Sequence, residues 1–557
     1  MNWKKIWIGA LIVVVAGMGF YSFNRDQKNF EIAKNLEIYY SLFRELNMFY
    51  VDDVNPNKLV KTSIDEMLSS LDPYTNFISE DQMEDFRFQT TGEYAGIGAL
   101  IGQQKGKIVI SEPYEGFPAQ KFGLKAGDVI LEVEGKSTED MTTEDVSNLL
   151  RGPANKPVNI KLQRPGQKKP FEVEVVREKV NIDAVPYYGM LDDNTAYIRL
   201  SSFTANCSEE VKTAFFELKK NDPEAFVLDL RGNGGGLLQE AVKIVNMFVP
   251  EGEEIVSTKG KVKQWDKTYT ATSAPLDTTI RIAVLTNRNS ASASEIVAGA
   301  IQDLDRGIVI GTRTFGKGLV QTTRDLDYNT KLKVTTAKYY IPSGRCIQAL
   351  DYSHRNEDGS VGHVPDSLIS EFTTKNGRKV YDGGGIVPDL VVEPDQLSNL
   401  SVALLTNFVV FDFATLYSNE NESIAGPEDF YISDDIYTQF SDFVKEQDFD
   451  YESESLHELE ELIDAARKEK YYTLAEEEFE SMKATLEPNI DKDLNEFNEE
   501  IESLLENEIV SRYYYQRGAI RASIGDDKVI EKAVEELSSP MAYNNYFEPG
   551  TVISMDR

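Results

Sequence analysis

From residue 180 to residue 395, short apolar runs alternate with segments whose apolar positions recur every three or four residues. "TAYIRLSSF", "AFVLDLRGNGGG", "RIAVLTN" and "GIVIGTRT" read as strands, and "SEEVKTAFFELKK", "LLQEAVKIVNMFV" and "SASEIVAGAIQDL" as helices. The alternation predicts an α/β core, a mixed sheet with flanking helices spanning 179–395, whose chemistry belongs in loops at the carboxyl ends of strands. Upstream, residues 27–90 read as an N-terminal helical region, with "FEIAKNLEIYYSLFRELNMFY" at helical spacing and "LDPYTNF" as a turn. Between them, across 91–178, the pattern becomes strand-rich. "GIGALIG", "KIVISEP", "PVNIKLQR" and "FEVEVVRE" are strand-like, and "TTEDVSNLLRG" is one short amphipathic helix. Beyond 395, "ELEELIDAARKEKYYTLAEEEFESMKATLE" and "DKDLNEFNEEIESLLENEIVSRYYYQRGAI" predict an acidic helical domain, 396–557, without a sustained heptad.

Composition narrows the function classes. A chain of 557 residues that is 41% hydrophobic and 27% charged suits several folded domains rather than disorder. A formal net charge of −35 argues against nucleic acid as a partner, since phosphate binding needs a basic face. Cys207 and Cys346 are too few for a disulfide framework, and a single bond between them does not follow from spacing. His354, His363 and His457 are scattered outside any HExxH or Cys/His cluster, so neither a metal nor a cofactor is expected. At the N-terminus, Lys4 and Lys5 precede an uncharged stretch from Ile6 to Phe23. This reads as a cytoplasmic tail, 1–5, and a transmembrane signal-anchor, 6–23. A cleaved signal peptide, with Gly17 and Gly19 near the cut, is the rival; the Phe20–Tyr21–Phe23 cluster favours the anchor. The expected location is the inner membrane, single-pass, with everything after the anchor periplasmic, where no ATP is supplied.

Three loops carry candidate chemistry. "DLRGNGGGLL", residues 229–238, lets backbone amides approach a ligand closely, as a cradle for developing negative charge or simply as a tight turn. In "TNRNSASASEIVAGAIQD" a helix begins near Ser292, whose hydroxyl would sit beside helix amides; Ser292-x-x-Glu295 also fits an ordinary capping box. "GTRTFGKGLVQ" mimics a phosphate-binding loop, but Gly318 replaces the required Ser or Thr and a β-leaning run follows where a helix is needed. Lys317 therefore needs another role. A serine nucleophile requires a base, and Lys317 lies one strand-end loop after Ser292. An ordinary lysine with a pKa of about 10.4 is neutral in fewer than roughly one molecule in a thousand at pH 7, so burial must lower that value by about three units. Phe315 and Leu319 are candidates for apolar cover, and Gln321 for orienting the amine.

"GLKAGDVILEVEGKSTEDMTTEDVSNLLRG" resembles a PDZ domain of the kind found in bacterial proteases. The resemblance implies capture of a chain end by β-augmentation. Gly96, Ile97, Gly98 and Ala99 would then lie at the terminal carboxylate, with Val146 and Leu150 lining the side-chain pocket. "SASASEI…QD" followed by "GTRTFGKGLVQ" resembles the C-terminal processing peptidases, or tail-specific proteases. "LDPYTNF", "LDLRGNGGGLL", "IPSGRCIQ" and "GGGIVPD" follow in family order over roughly residues 35–395. That resemblance implies Ser292 as nucleophile, Lys317 as general base and Gln321 as its partner. It places the amides of Ala293 and of Gly235 or Gly236 in the oxyanion hole, and Arg151 as a regulatory link from PDZ domain to core. "NGGG" stands where relatives often have "NPGG", and "LDPYT" where they have "LDPHS"; the second difference reads as outside the chemistry. The implied activity is a serine endopeptidase acting on unfolded or tail-exposed proteins. A catalytically silent PDZ scaffold in the cell envelope is the alternative, and an NTPase a weaker third. For the helical C-terminal domain, packing on the core, self-association (a homo-oligomer) and docking of an adaptor all stay open.

Overall fold

A computed structural model describes residues 29–551 and 553, apart from 357, 448 and 450. The anchor expected at 6–23 and the tail at 1–5 lie outside the described residues. Among the described residues no single helix is long and apolar enough to cross a membrane.

The central sheet runs in the order Tyr187–Met190, Thr195–Arg199, Ala225–Asp229, Arg281–Thr286, Ile308–Gly311, Leu390–Val391. Its first pair is antiparallel and the others are parallel. Ala225–Asp229 is buried at every position because both faces of the sheet are covered. Ile198, Phe226, Leu228 and Val284 face the helices Cys207–Leu218, Leu238–Asn246 and Ala293–Asp303. The alternate positions, Tyr197, Val227, Leu285 and Ile310, pack against Val529, Ile530, Ala533 and Leu537 of helix Lys528–Ser538. The second face of the α/β core is thus closed by the acidic C-terminal domain. Each large apolar side chain buried there contributes roughly 1.5–3 kcal/mol.

A second sheet holds the strands Leu319–Asp325 and Glu254–Gly260 against the long strand Lys331–Tyr340. Asn76–Ile78 joins it antiparallel to Lys331–Tyr340. The turn expected at "LDPYTNF" thus continues into a strand, Asn76–Ile78, an element not expected within the helical region 27–90. The β-rich module is a separate barrel-like sheet with its own core around Ile110, Ile130, Val146 and Leu162. Chain enters and leaves it through a two-stranded stalk, Glu93–Gly96 paired antiparallel with Glu178–Asn181.

The C-terminal domain has its own core, with Phe413, Phe440, Ile501 and Leu505 buried in it, and it also grips the β-rich module. Gln104 Nε2 donates to Asp412 Oδ1 at 2.8 Å, and Gln120 Nε2 to the Tyr515 hydroxyl at 2.6 Å. Tyr515, at φ 55 and ψ −166, interrupts helix Asn498–Ser523 at that contact. Cys207 and Cys346 are both free.

Candidate active site

Ser292 sits between strand Arg281–Thr286 and helix Ala293–Asp303, at φ 57 and ψ −110. A positive φ at a residue with a side chain costs of order 1–3 kcal/mol, and such strain concentrates at functional sites. Lys317 lies in the loop between Ile308–Gly311 and Leu319–Asp325. Ser292, Ala293, Lys317, Gln321 and the glycine run 234–236 line one cleft of about 400 Å³.

Glu295 brings the serine and lysine loops together. Its fully buried carboxylate accepts from the backbone N–H of Ser292 and of Lys317, both at 2.8 Å and both on Oε2. The two nitrogens are therefore no farther apart than twice that length. Oε1 takes the Thr314 hydroxyl at 2.6 Å and the Gly316 N–H at 2.7 Å. On the opposite side the buried Tyr339 hydroxyl reaches the Ser292 carbonyl at 3.1 Å and the Lys317 carbonyl. Burial lifts the Glu295 carboxyl to about 7, against the four donors that favour its charged form. The amides that a phosphate would need are thus committed to a carboxylate. Gly318 N–H is likewise given to Gln348, and the next element is a strand, which removes the nucleotide reading.

Burial, assisted by neighbouring Lys333, lowers the Lys317 amine to about 8, while Glu295 and Asp72 pull it back up. The amine lies 4.0 Å above the centre of the Tyr74 ring. Tyr74 belongs to "LDPYT", so the segment read as outside the chemistry supplies the apolar cover. Phe315, expected in that role, is 48% exposed; Leu319 is buried. The Gln321 amide donates to Leu319 O and Thr335 Oγ1, both at 3.2 Å, leaving its oxygen as the group an amine can use.

The glycine loop abuts the serine. A Cβ on Gly235, which has φ +98, would stand 2.8 Å from Ser292 Cβ and 2.9 Å from Ala293 N. Gly235 N–H, however, donates to Asn233 Oδ1 at 2.9 Å, so of the two expected glycine donors its amide is the committed one. Upstream, Arg231 is held by Asp229 and by Asp527.

In the β-rich module a groove of about 290 Å³ lies beside Ala99, Leu150 and Arg151. Val146 does not line it: this side chain is wholly buried in the module's core, because it falls on the inner face of helix Thr143–Leu150. Ile97 lines the groove while also packing into the same core, and Gly96 pairs with Glu178 in the stalk. The Tyr94 phenol lies on the same groove as Ala99, and burial raises its pKa to about 12. Arg151 pairs with Asp85 on helix Met83–Thr91 and stacks over Tyr94. Its partner is therefore this N-terminal helix rather than the central sheet. The helix is a shared wall, with Asp85 and Phe88 on the groove and Phe86, Gln89 and Thr90 on the cleft.

Sequence reasoning missed Tyr74, Tyr339 and the holding role of Glu295. The last two carry no local signal beyond the capping pattern, since only the fold brings residues 292, 317 and 339 together.

Comparison with known proteins gives three family matches: "Peptidase family S41" over residues 194–353, "PDZ domain" over 109–164, and "Probable PDZ-protease, C-terminal helical domain" over 400–537. A carboxy-terminal-processing protease of Bartonella bacilliformis is 35% identical over 370 residues, covering 66% of this chain and 81% of that protein. A probable CtpA-like serine protease of Staphylococcus aureus is 35% identical over 342 residues, covering 61% and 68%. Among solved structures, the photosystem II D1 C-terminal processing protease is 29% identical, covering 65% of this chain and 93% of that one, with a TM-score of 0.36.

Proposed function

In a chain that belongs to peptidase family S41, and is a carboxy-terminal processing serine protease with a PDZ domain, we propose that Ser292 is the nucleophile and Lys317 the general base. The neutral amine takes the hydroxyl proton as Ser292 Oγ attacks the scissile carbonyl. The resulting oxyanion is met by the Ala293 amide and, with Gly235 N–H committed to Asn233, by that of Gly236. Lys317 then passes the proton to the departing amine and activates the water that hydrolyses the acyl-enzyme. The free Gln321 oxygen orients the amine. The PDZ groove holds the substrate's C-terminal carboxylate at Gly98 and Ala99.

The observation that carries this reading is the single carboxylate oxygen of Glu295 shared by the amides of residues 292 and 317, beside the glycine loop. A binding-only scaffold has no use for a half-buried lysine lowered toward neutrality there. The decisive experiment is hydrolysis of casein or an unfolded tail-bearing substrate by wild type, Ser292→Ala and Lys317→Ala. Both variants should fall by on the order of 10⁴-fold or more. Wild-type rates in either would overturn the assignment.

The uncharged run 6–23 behind Lys4 and Lys5 supports a signal-anchor in the inner membrane with the peptidase on the periplasmic side. Digestion of the protein by external protease in spheroplasts but not in intact cells tests that placement.

A further inference from the structure

The glycine loop is entered through a compact charge network. Asp229, fully buried at the end of its strand, accepts from the Tyr197 hydroxyl at 2.8 Å, from Arg199 Nη1 at 2.7 Å, and from Arg231 Nε and Nη2 at 3.0 and 2.7 Å. Arg199 also donates to the Arg231 carbonyl at 2.8 Å. Two guanidinium groups thus converge on one carboxylate, an arrangement with an unbalanced positive charge.

The balancing carboxylate comes from another domain. Asp527 Oδ1 accepts from Arg231 Nη1 at 2.9 Å, and its Oδ2 lies 2.7 Å from Nη2. The Arg231 guanidinium is therefore forked on both edges, by Asp229 and by Asp527, a geometry that fixes its plane as well as its position. One residue further on, the loop begins: Gly232 N–H is held by Asn287 Oδ1 at 3.0 Å, and Gly235 packs against Ser292 and Ala293.

We propose that Asp527 is a positioning residue for peptide hydrolysis, holding Arg231 so that the glycine loop presents its amide to the oxyanion. This rests on the reading that the glycine loop forms half of the oxyanion hole. It gives the C-terminal helical domain a part in the reaction, where packing alone would make it a cover for the sheet.

Asp527 has a second duty that makes the test clean. It caps helix Lys528–Ser538, accepting from Val529 N at 3.0 Å and Ile530 N at 3.1 Å. Asparagine and serine cap helices about as well as aspartate, so Asp527→Asn and Asp527→Ser keep the cap and remove the charge. The helix itself stays seated through Val529, Ile530, Ala533 and Leu537.

With purified full-length protein and a tail-bearing peptide substrate, kcat of both variants should fall about ten- to a hundredfold, the loss of a charge-assisted pair. KM should stay within about twofold, and a peptide boronate that needs the oxyanion hole should lose affinity in parallel with kcat. Wild-type kcat in the two capped variants overturns the proposal. So does a kcat loss with boronate affinity unchanged, which would mark the residue as merely structural. If Ser292→Ala is inactive while Asp527→Asn is unaffected, only this inference fails; if Ser292→Ala is active, the underlying site assignment fails first.

Discussion

The two halves of the cleft are held by different physics. On the glycine side, Arg231, Asp229, Asn233 and Asn287 fix the loop through ion pairs and side-chain hydrogen bonds from separate elements. On the lysine side, the backbone is clasped by Glu295 and Tyr339, but the amine itself rests on the face of Tyr74. The first half stays preorganised near neutral pH, because its arginines and the carboxylates that hold them keep their charges there. The second depends on one buried carboxyl near 7 and one amine near 8. With the roles proposed above, the contrast makes transition-state stabilisation the built-in half and proton transfer the adjustable one, so control of activity would belong on the lysine side.

The severest way to break the contrast is Glu295→Gln. The amide places a donor among four donors and separates the serine and lysine loops. Misplacement of about 1 Å can cost a hundredfold, so kcat should drop by at least that much, with the Asp229–Arg231 network intact in a crystal structure. Next in size is the pH dependence. With Lys317 as the proposed base only its neutral amine can act, so kcat should rise with pH through about 8. A ring face favours the ammonium; Tyr74→Leu keeps apolar cover but removes that face, and should move the midpoint down by about half to one unit. Tyr74→Phe should leave it in place. Stability follows the same groups with opposite signs. Glu295 is held above its ordinary 4.5, so the folded chain binds the extra proton and stability falls as pH rises from 4.5 to about 7. Lys317 is held below 10.5, so stability rises between about 8 and 10.5. Urea unfolding across pH for wild type and Glu295→Gln separates the two contributions. The smallest effect is expected at Arg151→Ala, which frees Asp85 on the wall shared by groove and cleft. Basal cleavage should change by less than about twofold, and stimulation by a tail peptide should be lost; retained stimulation would put the link elsewhere.

Much of this was legible in the residues. Alternation of strands and helices sufficed for the α/β core, because that signal is local and periodic; the strand-rich pattern alone pointed to a small β module, and its PDZ identity came from the resemblance of "GLKAGDVILEVEGKSTEDMTTEDVSNLLRG". Ser292, Lys317 and the glycine run stood at strand ends, where such folds carry chemistry. What stayed hidden was set by long-range pairing. "LDPYT" reads as a turn until Asn76–Ile78 is seen paired with Lys331–Tyr340, which delivers Tyr74 to the lysine. Val146 has helical spacing suited to a groove, yet the rotation of its helix buries it. The Gly235 amide is withdrawn by Asn233, two residues away, a contact that no count of glycines reveals.

The stalk bears a last consequence. Gly96 and Glu178 are direct antiparallel partners, a separation of about 5 Å that a two-residue turn can bridge. Excising everything between them and suturing the stalk with such a turn keeps the chain order of the central sheet, at the loss of the Gln104–Asp412, Gln120–Tyr515 and Arg151–Asp85 contacts that tie the module to its neighbours.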